Sequence, residues 1–150
     1  MAAETRKISI RNKKAGFEYF LLEQFTAGLV LTGTEIKSIR EGKANLTDSY
    51  CAFDNGEIFV LNMHIAEYKY GNQFNHEPKR PRKLLLTKRE MRKLATKLKD
   101  KGITIIPVEL FLNDEGFAKL TIAIAKGKKL YDKRETLKSK DQQREIDRHL

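Results

Sequence analysis

Short apolar runs, some alternating with polar residues at period two, punctuate this chain, and the spacing turns helical in two places. Ile8-Ser9-Ile10 predicts a short strand, residues 12–16 a polar turn, and the aromatic-rich residues 17–25 a second strand. After Ala27-Gly28, the run Leu29-Val30-Leu31 predicts a third. Over residues 34–41 the pattern changes: Ile36 and Ile39 lie three apart and Gly42 follows, as in a short helix closed by a left-handed residue. Residues 48–53 and 57–63 flank Asp54-Asn55-Gly56, and Asn-Gly between two apolar runs signals a hairpin because both residues tolerate positive φ. Residues 70–81 hold Gly71, two Asn and two Pro and predict a long exposed loop.

The clearest helix spans residues 87–101. Thr87 with Glu90 three positions on makes a capping box, Met91, Leu94, Ala95 and Leu98 form an apolar stripe, and Gly102 closes the element. A second hairpin follows, from residues 103–112 through Asn113-Asp114-Glu115-Gly116 to residues 117–125, with Pro107 predicting an edge or a bulge. Several short strands, two hairpins and a few helices predict a mainly β chain: a small closed antiparallel barrel of about six strands with two or three flanking helices. From Lys126 the hydrophobic pattern stops. Residues 126–150 hold nine Lys/Arg, five Asp/Glu and few apolar side chains, so they bury too little surface to offset the entropy of ordering. The expected organisation is a barrel domain over residues 1–125 and a basic tail over 126–150, disordered alone and able to fold on a partner.

Charge adds the first hint of function. The 150 residues carry a net +10, and the excess lies in the second half. Residues 78–101 hold eleven Lys/Arg against Glu90 and Asp100, whereas residues 1–77 hold nine basic and ten acidic side chains. A clustered positive field suits a polyanion, since neutralised phosphates release their condensed counterions. Tyr68, Tyr70 and Phe74 border the loop that leads into the basic run, where rings either stack on unpaired bases or cover the end of the barrel.

Other chemistries find little support. His64, His76 and His149 have no ligand-type spacing, so no metal or cofactor is expected. Cys51 is alone and sits in an alternating strand, which predicts a packed thiol, no internal disulfide and a reducing, cytoplasmic compartment. No Gly-x-Ser-x-Gly, P-loop or Gly-x-Gly-x-x-Gly motif occurs, so no enzyme is expected. No run approaches the roughly 20 apolar residues of a membrane span, and residues 1–11 lack the apolar core of a secretory signal. A monomeric nucleic-acid-binding protein is what remains.

Several blocks sharpen this. Residues 33–45, Gly-Thr-Glu-Ile-Lys-Ser-Ile-Arg-Glu-Gly-Lys-Ala-Asn, followed by Asp48-Ser49-Tyr50, resemble the signature of the SmpB family of bacterial tmRNA-binding proteins. Asn12-Lys13-Lys14-Ala15 resembles its opening, Arg82-Lys83-Leu84-Leu85-Leu86 its second block, and residues 126–134 its third. The similarity runs in order from about Ile8 to Arg134. The resemblance implies an OB-type barrel with about three helices that binds the tRNA-like domain of tmRNA (SsrA RNA). It further implies delivery to stalled ribosomes for trans-translation, with the tail entering the empty mRNA channel, and association with elongation factor Tu through the alanylated complex. A general single-stranded nucleic-acid-binding protein on the same scaffold is the alternative.

By position, the resemblance assigns tmRNA contact to Asn12, Lys13, Glu35, Lys37, Ser38, Arg40, Lys43, Asn45, Tyr50, Arg82 and Lys83. The cations among them would neutralise phosphates. For Glu35 an internal ion pair, for Asn45 a turn, and for Tyr50 a core ring remain open. In the tail, Lys126, Lys128, Lys129, Tyr131, Asp132, Lys133 and Arg134 fall in the block that contacts the ribosome, with Tyr131 where relatives stack a ring on small-subunit rRNA.

Overall fold

The structure, a computed structural model, describes residues 8–129. It opens with strand β1 (Ile8–Arg11), a helical turn α1 (Ala15–Glu18) and the long strand β2 (Tyr19–Leu29). Helix α2 (Gly33–Arg40) leads through β3 (Ala44–Asn45) to the hairpin β4 (Tyr50–Asp54) and β5 (Glu57–Leu61). The short β6 (His64–Ile65) precedes a long loop. Strand β7 (Arg82–Leu85), helix α3 (Lys88–Lys97) and the hairpin β8 (Ile103–Leu112) and β9 (Ala118–Gly127) follow and complete the described residues. The order in the main sheet is β1-β8-β4-β5-β7-β2-β9, and β9 also pairs with β8, so the ladder returns on itself. All pairings are antiparallel, and β3 and β6 form a small separate sheet.

The core is the inner face of this ladder. Ile58 and Val60 of β5, Leu84 of β7, Ile105 and Leu110 of β8, and Leu120 and Ile122 of β9 are essentially inaccessible to water, and Leu94 of α3 joins them. At about 25 cal/mol per Å² of apolar surface removed from water, each such side chain contributes roughly 1.5–3 kcal/mol before entropy is subtracted. Both hairpin signals hold. Asn55 (φ 51°) and Gly56 (φ 78°) occupy the left-handed region together, the type I′ geometry whose twist matches the flanking strands. Pro107 sits at a register shift in the β8–β9 pairing, so the bulge falls beside the residue that cannot donate to a ladder.

The local pattern misleads at five points. The turn over residues 12–16 and a strand from Phe17 give way to helical turn α1, because Lys14 C=O accepts from both Phe17 and Glu18 N–H and Ala15 packs on Ile106 and Ala125. Strand β2 does not break at Gly28. That residue pairs with Leu85 on one side and Lys119 on the other, and a Cβ there would lie 3.3 Å from the Leu85 Cβ, so glycine permits close approach instead of ending the strand. Strand β7 is hidden in the basic run. Helix α3 stops at Lys97, with Leu98 as its C-cap, short of Lys101. The loop over residues 70–81 is folded: a 3-10 turn occupies Asn72–Phe74, and the Asn75 carboxamide bonds the Tyr68 backbone twice, accepting from N–H (3.0 Å) and donating to C=O (2.6 Å).

Candidate nucleic-acid interface

Helix α2 is held at its start by a buried charge cluster. Thr32 caps it, with Glu35 returning the bond to the Thr32 N–H (2.9 Å). The same Oε1 accepts from Arg80 Nη2 (2.6 Å), while Oε2 accepts from Arg82 Nε. Glu35 and Arg82 are both fully buried. Arg82 spends its remaining donors on backbone carbonyls, Met63 at 2.6 Å and Pro78 at 3.0 Å. Burial pushes the Glu35 carboxyl up, but bonds from Arg80, the Thr32 N–H and Arg82, with the Arg82 charge, outweigh it and hold the carboxyl below its ordinary range. Burial likewise lowers Arg82, partly offset by Glu35.

His76 extends the cluster. Its Nε2 bonds the Ile65 carbonyl (2.9 Å), which can only accept, so this nitrogen donates; Nδ1 meets Thr34 Oγ1 (2.9 Å). Helix α2, β6 and the 75–82 segment are thereby one polar unit.

The surface above this unit is cationic and aromatic. Lys37 and Arg40, two and five residues beyond Glu35, are exposed, and the Lys37 ammonium lies 5.4 Å from the centre of the Tyr68 ring. Tyr68 and Tyr70 meet edge to face at 5.5 Å, Lys69 lies 4.9 Å from the Tyr70 ring, and Tyr70 and Phe74 are 68% and 79% exposed. Rings this open next to ammonium groups suit unpaired bases flanked by phosphate. Elsewhere, Ser9, Arg11, Lys13, Asn45 and Thr47 line one groove of about 390 Å³. Edge strand β1 and the turn after β3 bring these together from segments more than 30 positions apart.

The residues assigned by resemblance therefore separate. Lys13 and Asn45 share the groove, with the Asn45 Oδ1 also accepting from the Thr47 N–H (2.8 Å), so it shapes its turn. Lys43 is exposed and pairs with Glu41 at 3.2 Å. Tyr50 is 41% exposed at the start of β4, so it is no core ring. Lys83 meets Glu57 at 3.1 Å on the surface, a weak pair that an RNA could displace. Asn12 is half-buried and donates from Nδ2 to the Pro107 carbonyl (2.9 Å). Ser38 is buried, and its Oγ has no partner among the described residues. Arg82, Glu35 and Ser38 offer no surface to a phosphate; the first two are the internal ion pair. Of the tail residues, Lys126 is exposed at the end of β9, and Lys128 donates from Nζ to the Gly16 carbonyl (2.9 Å), 5.0 Å from the Phe20 ring. Lys129 is exposed, and Tyr131, Asp132, Lys133 and Arg134 lie outside the described residues.

Sequence reasoning missed Arg80 as the second partner of Glu35, and Arg11 and Thr47 as groove residues. For Arg80 a signal existed: in extended chain, positions 80 and 82 project to the same side, so two arginines at that spacing can meet one carboxylate. Among the described residues no group of three or more His, Cys, Asp and Glu side chains could hold a metal ion, and no helix is long and apolar enough to cross a membrane. Cys51 is buried, and burial pushes its thiol far above the ordinary range.

A mainly β chain with three helices, a buried anchor under its second helix and cations with open rings above it is built as a nucleic-acid-binding protein. The chain belongs to the SmpB family: residues 9–150 match the family described as "SmpB protein". It is similar to the SsrA-binding protein of Phocaeicola vulgatus (61% identical over 141 residues, 94% of each chain) and to that of Christiangramia forsetii (57% over 141 residues, 94% of this chain and 90% of that one). A solved structure described as "tmRNA-SmpB: a journey to the center of the bacterial ribosome" contains a chain 42% identical to this one, with a TM-score of 0.70 over 81% of this chain and 85% of that one.

Proposed function

We propose that this chain is an RNA-binding adaptor that binds the tRNA-like domain of tmRNA and brings it to stalled ribosomes for trans-translation. The observation that carries this is the match to SsrA-binding proteins across 94% of the chain, at 61% identity in one case. The exposed Lys13, Lys37, Arg40 and Lys43 are its phosphate contacts, and Asn45, Tyr50 and Lys83 lie where they can join them. Glu35, Ser38 and Arg82 act from beneath by holding α2 in place. The strand ladder that returns to β8 forms a closed OB-like barrel, and the residues after it form a separate basic tail for the empty mRNA channel. The protein performs no catalysis, works in the cytoplasm, and meets elongation factor Tu through the alanylated RNA.

Affinity capture from cells with sequencing of retained RNA tests the first half of this. Enrichment of tmRNA over bulk transfer RNA is expected; recovery in proportion to cellular abundance points to the general single-strand binder instead. The second half has its own test. Replacing Asp132, Lys133 and Arg134 by Ala is expected to leave tmRNA affinity within about twofold and to abolish peptide tagging on stalled ribosomes. Normal tagging by that variant removes the tail from the mechanism.

A further inference from the structure

Beside the Lys13 groove lies a second, more enclosed pocket of about 170 Å³ that no assigned role uses. The two share a wall. Arg11 and Lys13 line the groove, while Asn12 and Lys14 line the pocket; Asn45 and Thr47 line the groove, while Asp48 lines the pocket. The two are lined by neighbouring residues of the same two segments, so a cationic channel and a cavity lie next to each other.

The cavity has an unusual polar content for so basic a chain. Its polar groups are Asn12, Lys14, Glu18, Asp48, the Tyr19 phenol and Ser49, whose hydroxyl donates to the Leu46 carbonyl, and Ala15 and Ile106 are its apolar walls. The Asn12 orientation is set: Nδ2 must face the Pro107 carbonyl, so Oδ1 is an acceptor, and it is buried with no donor among the described residues. Among the described residues no hydrogen bond or ion pair involves the Glu18 or Asp48 carboxylate. Two carboxylates, an ammonium and a phenol around a slot call for a flat ligand with adjacent N–H donors and one acceptor. Among nucleobases this is the Watson–Crick edge of guanine, with N1–H and N2–H₂ beside O6. Uracil presents one N–H between two carbonyls, which the carboxylates repel, while adenine and cytosine each present a single amine beside an acceptor nitrogen. For size, a cavity of about 150 Å³ accepts a benzene ring, and this one opens at its mouth.

Resting on the RNA-binding reading above, we propose that this pocket receives one unpaired guanine of the bound RNA, whose phosphate lies in the adjoining Lys13 groove. One carboxylate takes the N1–H and N2–H pair, the other takes the second amine hydrogen, and Lys14 donates to O6. Readout of an unpaired base by its Watson–Crick edge is how proteins select single-stranded RNA positions. A matched bidentate pair discriminates between bases by about tenfold or more.

The test uses the full-length protein and four probes, GMP, AMP, CMP and UMP, which carry the same phosphate. Backbone amide NMR at Asn12, Glu18 and Asp48 follows each titration. GMP is expected to shift these residues saturably and at least about tenfold more tightly than the others. A Glu18→Gln, Asp48→Asn variant should lose that preference; Asn is well suited to Asp48, whose φ of 63° lies in the left-handed region. Equal response to all four nucleotides, or response to methylguanidine without response to GMP, overturns the proposal, the latter in favour of an arginine side chain. Binding of tmRNA measured on the same samples separates the two claims. If tmRNA still binds while GMP shows no preference, only the pocket assignment falls; if tmRNA does not bind, the adaptor reading falls with it.

Discussion

Replacing Arg82 by Ala is expected to destabilise the fold by about 3–5 kcal/mol, the cost of removing one partner of a buried ion pair together with the donors of two buried carbonyls. Arg82 is fully buried, with its guanidinium bonded to Glu35 and to the Met63 and Pro78 carbonyls, so truncation leaves the Glu35 Oε2 and two carbonyls without these donors. Arg80 remains on the Glu35 Oε1 but is itself about a third exposed. Urea unfolding with an unchanged slope and a lower midpoint measures the loss. A midpoint within error of the parent's would remove Arg82 from the structural account. Arg82→Lys restores charge without the planar fork and is expected to recover only part of the difference.

The same cluster sets a pH dependence. The Glu35 carboxyl is held below its ordinary range in the folded protein, so folding favours its ionised form. Its stabilisation is present above the unfolded carboxyl value of 4.5 and is lost as pH falls through the lower folded value. Glu35→Gln should flatten that acid limb while lowering stability near neutrality.

The second large effect concerns affinity. Lys13, Arg40 and Lys43 are exposed and come from two separate segments of chain, the turn after β1 and the stretch around the end of α2. Changing all three to Ala is expected to leave the melting temperature within a few degrees and to weaken tmRNA binding strongly at physiological salt. Each lost phosphate contact lowers the slope of log K against log salt by about 0.7–0.9, so the triple variant should lose about two units of slope. An unaltered slope places the RNA on another face. Arg82→Ala, studied at a temperature where it stays folded, should leave the slope intact, because its guanidinium never reaches a phosphate. These two variants separate an architectural arginine from binding cations, although both kinds occur in blocks that look alike in sequence.

What local chemistry determines was legible in the chain itself. The capping box at Thr87 and Glu90 forms as spaced, the Asn55-Gly56 hairpin adopts its paired positive φ values, and Gly42 takes φ 74° after α2. The matched blocks led to the family, and the one-sided charge agreed with it. These features depend on residues within a few positions of each other, where backbone preference and side-chain reach decide. Only the tertiary structure could decide which cations face water. Arg82 and Lys83 are neighbours in one basic run, yet strand alternation sends one to a buried carboxylate 47 positions away and leaves the other partly open at the surface. Gly28 reads as a break but serves a close strand crossing, and the groove and pocket at Asn12 and Lys13 exist only where β1 meets the turn after β3. The physical reason is common to all three: burial and pairing are set by what arrives from distant parts of the chain, and a desolvated charge is kept only where that distant partner meets it.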